Sequence, residues 1–260
     1  MTISKGGWTA IVLAGQRPGI DPLADHFGER LKALVRVRGR PMVARVVETM
    51  LGVAAFERVI ILCQQPDAIR PALPEDPRLT YIVSSAGISQ SILAVAGGQD
   101  APWPLFVTTA DHPLLTREMV EHFLEASEGV DVAVGMVERT VVLAAHPDNK
   151  RTWIKLRGGA WSGANLFALG GDAARHALML WVEAEKDRKQ LLKLFWHFGP
   201  LIALRAITRT ISLQNGIAAL GMRLGLHARA VALPFAEAAI DVDKLTDHVL
   251  VETILAQRSI

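Results

Sequence analysis

Two short segments carry residue types suited to phosphate and metal chemistry. Leu13-Ala14-Gly15-Gln16-Arg17-Pro18-Gly19 closes the first apolar run of the chain. Glycine after a strand lets backbone N–H groups approach phosphate oxygens, and Arg17 adds positive charge. The segment has neither the glycine spacing of a dinucleotide fingerprint nor the Gly-Lys-Ser/Thr of a P-loop, so both of those nucleotide-binding readings lose weight. The second segment is Ala110-Asp111-His112-Pro113-Leu114-Leu115, directly after another apolar run. A carboxylate at the carboxyl end of a buried strand can hold a divalent cation against phosphates, which makes Asp111 the first candidate for a Mg2+ ligand. The plainer readings are a strand-end turn for the glycines and a turn or cap for the aspartate. The scattered histidines, His176, His197 and His227 among them, have no metal-ligand spacing. Cys63 is the only cysteine, which excludes an intrachain disulfide and a cysteine-based zinc site.

Such residues act only if a scaffold brings them together. Thr9 to Leu13, Val59 to Cys63, Leu79 to Val83 and Leu105 to Thr109 read as buried strands. Between them, Pro41 to Leu51 repeats apolar residues at helical spacing (Val43, Val46, Val47, Met50), and Arg117 to Ala126 begins after Thr116, a good N-cap residue type. The alternation predicts an α/β fold: a three-layer, Rossmann-like, mostly parallel sheet that binds ligands outside the carboxyl ends of its strands. Residues 13–19 and 110–115 both lie at such ends. Asp131 to Val137 and Ala164 to Leu169 supply later strands, with a polar, glycine-rich turn or hairpin over Arg151 to Trp161. From Asp172 to Gly225 the pattern is helical, roughly Asp172 to Lys186, Lys189 to Trp196 and Ser212 to Leu224. A strand at Ala228 to Leu233 and a helix over Thr246 to Ala256 return to the sheet. The expected organisation is a single domain with a core of about residues 6–170 and 228–257 and a helical insertion near the C-terminus, about 172–226.

The composition fits that frame. A chain of 260 residues, 50% hydrophobic and 21% charged, can bury a sizeable core and is neither disordered, collagenous nor a coiled coil. Twenty-eight Lys and Arg against 26 Asp and Glu leave a net charge of +2, too little for general affinity to nucleic acid or membranes. Trp8 to Gly15 lacks the basic leader of a signal peptide, and Leu79 to Gln99 is too broken by polar residues to span a bilayer. The reading is a cytoplasmic protein with no nucleic-acid partner. Stretch 172–226, with Arg205, Arg209 and Arg223 among apolar residues, could serve as core packing, a dimer contact or a peripheral membrane face.

The order of these segments resembles the nucleotidyltransferase superfamily of GT-A-like fold, and within it the MobA-like molybdenum-cofactor guanylyl- and cytidylyltransferases. A first strand, a Gly/Arg loop, Lys32 in Leu31-Lys32-Ala33-Leu34, Gly39-Arg40-Pro41-Met42 opening a helix, and Asp111-His112-Pro113-Leu114 stand in the family's order. The resemblance covers about residues 9–170 and 228–256. It implies that loops with Leu13, Ala14, Gly15, Arg17 and Lys32 hold a triphosphate, Arg17 and Lys32 neutralising charge as pyrophosphate leaves. Gly87-x-Ser89-x-Ser91 corresponds to the base-reading segment and looks most like the cytidylyltransferase branch; a serine cap on the helix beginning near Ser89 is compatible with that role. Arg151 to Arg157 and Trp161 to Phe167 resemble the acceptor side, with Lys155 or Arg157 for the acceptor phosphate and Asn165 for its hydroxyls. Ala239 to Asp247 matches the closing Asp-x-Asp element, so Asp241 or Asp243 joins Asp111 at the metal. Leu245-Thr246-Asp247 replaces the family's usual Pro-Glu-Asp or Pro-Ala-Asp, with Thr246 a candidate N-cap.

The implied reaction is Mg2+-dependent. A nucleoside triphosphate, CTP in preference to GTP, and a phosphorylated small acceptor give an NDP-linked product and pyrophosphate, with Arg17, Lys32 and Asp111 catalytic. A glycosyltransferase of related fold is the alternative enzyme, although such enzymes usually carry Asp-x-Asp in mid-chain. Outside enzymes, the alternative is a nucleotide-binding regulatory subunit without catalysis, suggested by Gln16 and the Arg/Leu-rich stretch.

Overall fold

The structure, a computed structural model, describes residues 7–16, 19–84, 87–186 and 199–258. The first half of the chain forms β1 (Trp8–Leu13), α1 (Pro22–His26), β2 (Arg36–Val37), β3 (Arg40–Pro41), α2 (Met42–Gly52), β4 (Phe56–Cys63), α3 (Pro66–Ile69), β5 (Leu79–Val83), α4 (Ile88–Val95), β6 (Leu105–Thr109) and α5 (Arg117–Ala126). Then come β7 (Val132–Glu138), α6 (Arg139–Ala145), β8 (Ile154–Leu156), β9 (Gly159–Leu169), α7 (Arg175–Lys186), α8 (Pro200–Ile207), α9 (Leu213–Arg223), β10 (Ala228–Ala232) and α10 (Leu245–Arg258).

The eight-stranded main sheet runs β10-β7-β9-β6-β1-β4-β5, with β8 paired to β9. β6, β1, β4 and β5 are mutually parallel, as are β7 and β10, whereas β9 runs antiparallel to both of its neighbours, β6 and β7. Side chains alternate across a strand. Ala10, Val12, Val59, Ile61 and Phe106 therefore join Val46 of α2 and Val120 of α5 in one core, while Ile11, Ile60, Leu62 and Val107 join Ile92 of α4 and Leu178 of α7 in another. Burial on both faces is why these strands read as unbroken apolar runs. After β1 the chain adds β4 and β5 on one side and then returns to place β6 on the other. The loops after β1 and β6 thus part at a topological switch point and leave a crevice.

A third core fastens the C-terminal segment beside that crevice: Leu23, Val35, Val37 and Met42 pack with Ile240, Val242, Val251 and Ile254. Its entry is the β2–β3 hairpin, whose two connecting residues, Arg38 and Gly39, have φ of 48° and 73°. Glycine adopts such angles without strain and suits a two-residue type I′ turn.

Several local expectations shift. The strand expected at 164–169 is the end of the longer β9, and the Arg151 to Trp161 turn is the β8–β9 hairpin. Gly87 caps α4, so no serine does; Ser89 lies within the first turn. Thr246 is inside α10 and does not cap it. The Asp247 carboxylate instead reaches back to accept from the N–H groups of Lys244 (3.1 Å) and Asp243 (3.2 Å), as the acidic member of a capping box does. Thr116 caps α5 as expected, accepting from the Met119 N–H. The helix expected over 189–196 lies outside the described residues. No helix among the described residues is long and apolar enough to cross a membrane.

Candidate active site

Three charged side chains from remote parts of the chain meet in the crevice. Lys32 opens a short 3-10 turn, and its Nζ donates to Asp111 Oδ2 and to Asp243 Oδ1, each at 2.6 Å. The Val242 N–H donates to the Asp111 carbonyl at 2.9 Å, which pins the Asp243 segment to the end of β6. Side-chain exposure is 19% for Lys32 and 20% for Asp111 but 67% for Asp243. Burial alone would push the ammonium pKa down. The charge and hydrogen bond of Asp111, followed by those of Asp243, outweigh that penalty and hold Lys32 above the ordinary lysine range, so it stays charged.

The first loop is braced against this cluster. Ala14 N–H donates to Leu62 O (3.0 Å), and Ala110 N–H donates to Leu13 O (2.9 Å). Gln16 Oε1 accepts from the Lys32 N–H at 3.1 Å, while the Gln16 backbone forms a two-way clamp with the Gln64 amide at 3.0 and 3.2 Å. A Cβ at Gly15 would lie 3.1 Å from Gln64 Nε2, so the missing side chain gives this clamp its room. Gly15 is exposed, and its N–H has no partner among the described residues. Arg17 lies outside the described residues. Gln64 was not singled out from sequence, although its place just past the β4 carboxyl end, on the same rim as Gly15 and Asp111, was a usable signal.

The donor set fits a hard divalent cation. Asp111 Oδ1 is buried and has no hydrogen-bond partner among the described residues, a costly arrangement for a carboxylate oxygen that a cation would relieve. No group of three or more metal-binding His, Cys, Asp or Glu occurs among the described residues. Two carboxylates would leave the remaining positions to water and phosphate oxygens, the usual pattern for Mg2+. Next to Asp111, buried His112 donates from Nε2 to the Glu237 carbonyl at 3.3 Å, and burial pushes its pKa down, so it is neutral.

Asp241 belongs to a different set of contacts. It accepts from Arg151 Nη2 at 2.6 Å and from Asn165 Nδ2 at 3.2 Å, and Arg151 Nε donates to Ser162 Oγ at 3.2 Å. In a regular strand, residues two apart share a face. Residues 240–243 are irregular, so the two aspartates part. Burial would raise the Asp241 pKa, but the charge and hydrogen bond of Arg151 overcome this and hold the carboxyl below its usual range. Asn165 has φ of 52°, a left-handed conformation that Asn tolerates better than most residues. Lys155 and Arg157 are exposed in the β8–β9 hairpin, and their side chains have no partner among the described residues. Arg151 stood in the same basic run, and burial, invisible in sequence, sets it apart.

The serine segment is tied to α7. The N–H groups of Ile88 and Ser89 each donate at 3.1 Å to the Glu185 carboxylate, and the buried Ser89 hydroxyl donates to it as well. Ser91 donates to Gly87 O at 2.8 Å and shares a 2.7 Å bond with Ser84. A cavity of about 190 Å3 lined by Gly87, Gln90, Val182 and Glu185 adjoins them. Glu185 was not singled out from sequence, because nothing in residues 172–186 pairs it with Ser89.

Comparison with known proteins identifies the family and the fold. The sequence profile of the MobA-like NTP transferase domain matches residues 10–193. A hypothetical transferase from Thermus thermophilus is similar over 93% of this chain and 99% of its own, at 31% identity and a TM-score of 0.78. The 4-diphosphocytidyl-2C-methyl-D-erythritol synthase of Anaerococcus prevotii is similar over 98% of each chain, at 12% identity and a TM-score of 0.60. A CMP:2-keto-3-deoxy-manno-octonic acid synthetase solved with CTP is similar over 97% of this chain and 99% of its own, at 15% identity and a TM-score of 0.62. At such identities the last two speak for the fold alone. No curated protein matches the chain.

Proposed function

The chain belongs to the MobA-like NTP transferase family and is a nucleotidyltransferase, and from that premise we propose that it transfers a nucleotidyl group from CTP, in preference to GTP, to a phosphorylated small acceptor, with Mg2+. The family assignment sets aside the glycosyltransferase and non-catalytic readings. The observation that carries the proposal is the Lys32 ammonium bridging Asp111 and Asp243 beside the Gly15 loop. Few arrangements other than a phosphate site put a half-buried, charged lysine and an orphaned carboxylate oxygen beside a loop that leaves the Gly15 N–H free among the described residues.

In this reading an acceptor phosphate oxygen attacks the α-phosphorus, the bond to the β-phosphate oxygen breaks, and pyrophosphate leaves with the electron pair. Lys32 and Arg17 neutralise the charge that grows on the leaving group. Asp111 and Asp243 would hold Mg2+, which supplies positive charge to the phosphate oxygens. Lys155 and Arg157 bind the acceptor phosphate. Asn165, held by Asp241, orients acceptor hydroxyls, so Asp241 is assigned to this side and not to the metal. The Gly87 turn borders the base, whereas Ser89 and Ser91 are buried with their hydroxyls bonded to Glu185, Gly87 O and Ser84 and brace that turn from behind, so CTP rests on the likeness of Gly87-x-Ser89-x-Ser91 to the cytidylyltransferase branch. The organisation we favour is one domain with residues 172–226 inserted, working in the cytoplasm.

Pyrophosphate release, measured for the four NTPs with Mg2+ over a panel of phosphorylated acceptors, tests this. One NTP should turn over, and a folded Asp111→Asn protein should not. Release of pyrophosphate by Asp111→Asn at the parent rate would overturn the site assignment.

A further inference from the structure

A second concave site lies away from the crevice, between α2, the turn that follows Asp111, and α10. Its cavity of about 320 Å3 is lined by Arg45, Arg117 and Arg258, with Glu48, Thr49 and Gly52 on the α2 wall. We infer that it binds a small anion of the phosphate class, up to the size of pyrophosphate. This inference does not depend on the proposed nucleotide reaction.

The charges in the cavity wall do not balance. Glu48 is its single carboxylate, and Glu48 is already ion-paired with Arg40. Arg45 donates from Nε and Nη2 to the Val37 carbonyl at 3.1 and 2.8 Å, which fixes its guanidinium plane and leaves Nη1 without a partner among the described residues. Burial, together with the positive charges of Arg40 and Arg38, pushes the Arg45 pKa down, partly offset by Glu252. Arg258 donates to the Leu114 carbonyl at 3.1 Å, and its nearest carboxylate, Glu237, is 4.0 Å away. Arg117 has no hydrogen bond or ion pair among the described residues, yet it is folded back over the end of α2. A Cβ at Gly52 would lie only 3.0 Å from Arg117 Nη2, so the absence of a side chain there gives the guanidinium its place.

Three guanidinium groups line one cavity whose single carboxylate, Glu48, is already held by Arg40, and an oxyanion meets that unbalanced positive charge while accepting their hydrogen bonds. Planar N–H forks match phosphate oxygens in pairs. A metal cation would be repelled, and a large apolar ligand would meet three guanidinium groups and a carboxylate in the walls. The Thr49 hydroxyl donates its one proton to the carbonyl of Arg45 or of Leu115, so the anion is held by the guanidinium groups and not by Thr49.

The test is calorimetric titration of the full chain with inorganic pyrophosphate, without divalent metal, and with inorganic phosphate as a second probe. Lys32→Gln removes the crevice lysine and isolates the second site. In that background Arg117→Gln should weaken pyrophosphate binding at least five-fold, and Arg117→Lys should retain part of it. In the parent protein Arg117→Gln should lower the number of bound pyrophosphates by one, a measurement that stands if Lys32→Gln fails to fold. Phosphate binding through Arg117 as tightly as pyrophosphate supports the site and narrows its ligand to a monophosphate. Pyrophosphate affinity unchanged within two-fold by Arg117→Gln, or abolished entirely by Lys32→Gln in a folded protein, overturns the inference.

Discussion

Asp241 and Asp243 stand two residues apart in one loop and meet opposite circumstances. Asp243 is 67% exposed and shares Lys32 with Asp111, whereas Asp241 is 17% exposed and is held by Arg151 and Asn165. Charge pairs in water contribute little, because solvent competes for both partners, while a pair withdrawn from water leaves a stranded charge when one member is lost. The exposed pair can therefore exchange its partner for a ligand at small cost. The enclosed pair holds shape: it ties the final loop to β9 and sets Asn165.

Four measurements break or sharpen that contrast. The largest effect is expected from Asp111→Asn, which keeps side-chain shape but removes the charge opposite Lys32: turnover should fall by about a thousand-fold, roughly 4 kcal/mol of activation energy, in pyrophosphate-release assays. Next is Arg151→Met, which strands Asp241 in a 17% exposed site and should cost about 3 kcal/mol in urea unfolding. If instead Arg151→Met and Asp243→Asn are equally mild, the division between enclosed and exposed pairs fails.

The third concerns pH and is measured with EDTA present. His112 has its pKa pushed below the ordinary value of 6.5 by burial, so the unfolded chain binds the proton more readily than the folded one. Its contribution to stability is complete above pH 6.5 and is lost as pH falls from there toward the folded-state pKa, by up to about 1.4 kcal/mol per pH unit. His112→Asn should flatten that part of the stability curve; an unchanged slope would remove His112 as its source. The smallest effect is expected from Asp243→Asn, whose stability should change by less than about 1 kcal/mol because its pair with Lys32 is solvent-exposed on one side.

Much of this architecture was legible in the chain itself. Strands β1, β4 and β6 and helices α2 and α5 announce themselves through continuous apolar runs and 3.6-residue spacing, because both sheet faces are buried there; β5 also reads as a buried strand but forms the sheet edge, with Thr80 and Val83 exposed. The β8–β9 hairpin was visible only as a glycine-rich polar stretch, since β9 pairs antiparallel between two strands that lie far away in sequence. The rim positions of Gly15, Lys32 and Asp111 followed from motif order. The carboxylate of Glu185 at the start of α4 and the clamp of Gln64 on Gln16 did not, because each joins elements whose separation carries no periodic signal.

Local pattern and motif order, then, determined the layer architecture, the family and the set of ionisable groups near the strand ends. Only the tertiary structure decided which of those groups are neighbours. Partnership between charges depends on distances of a few ångströms and on how much water remains, and both are set by packing among Val35, Met42, Ile240 and Val251, residues that come from opposite ends of the chain. That packing sends Asp243 to Lys32 and Asp241 to Arg151, a choice that two aspartates in an Asp-x-Asp element cannot express by themselves.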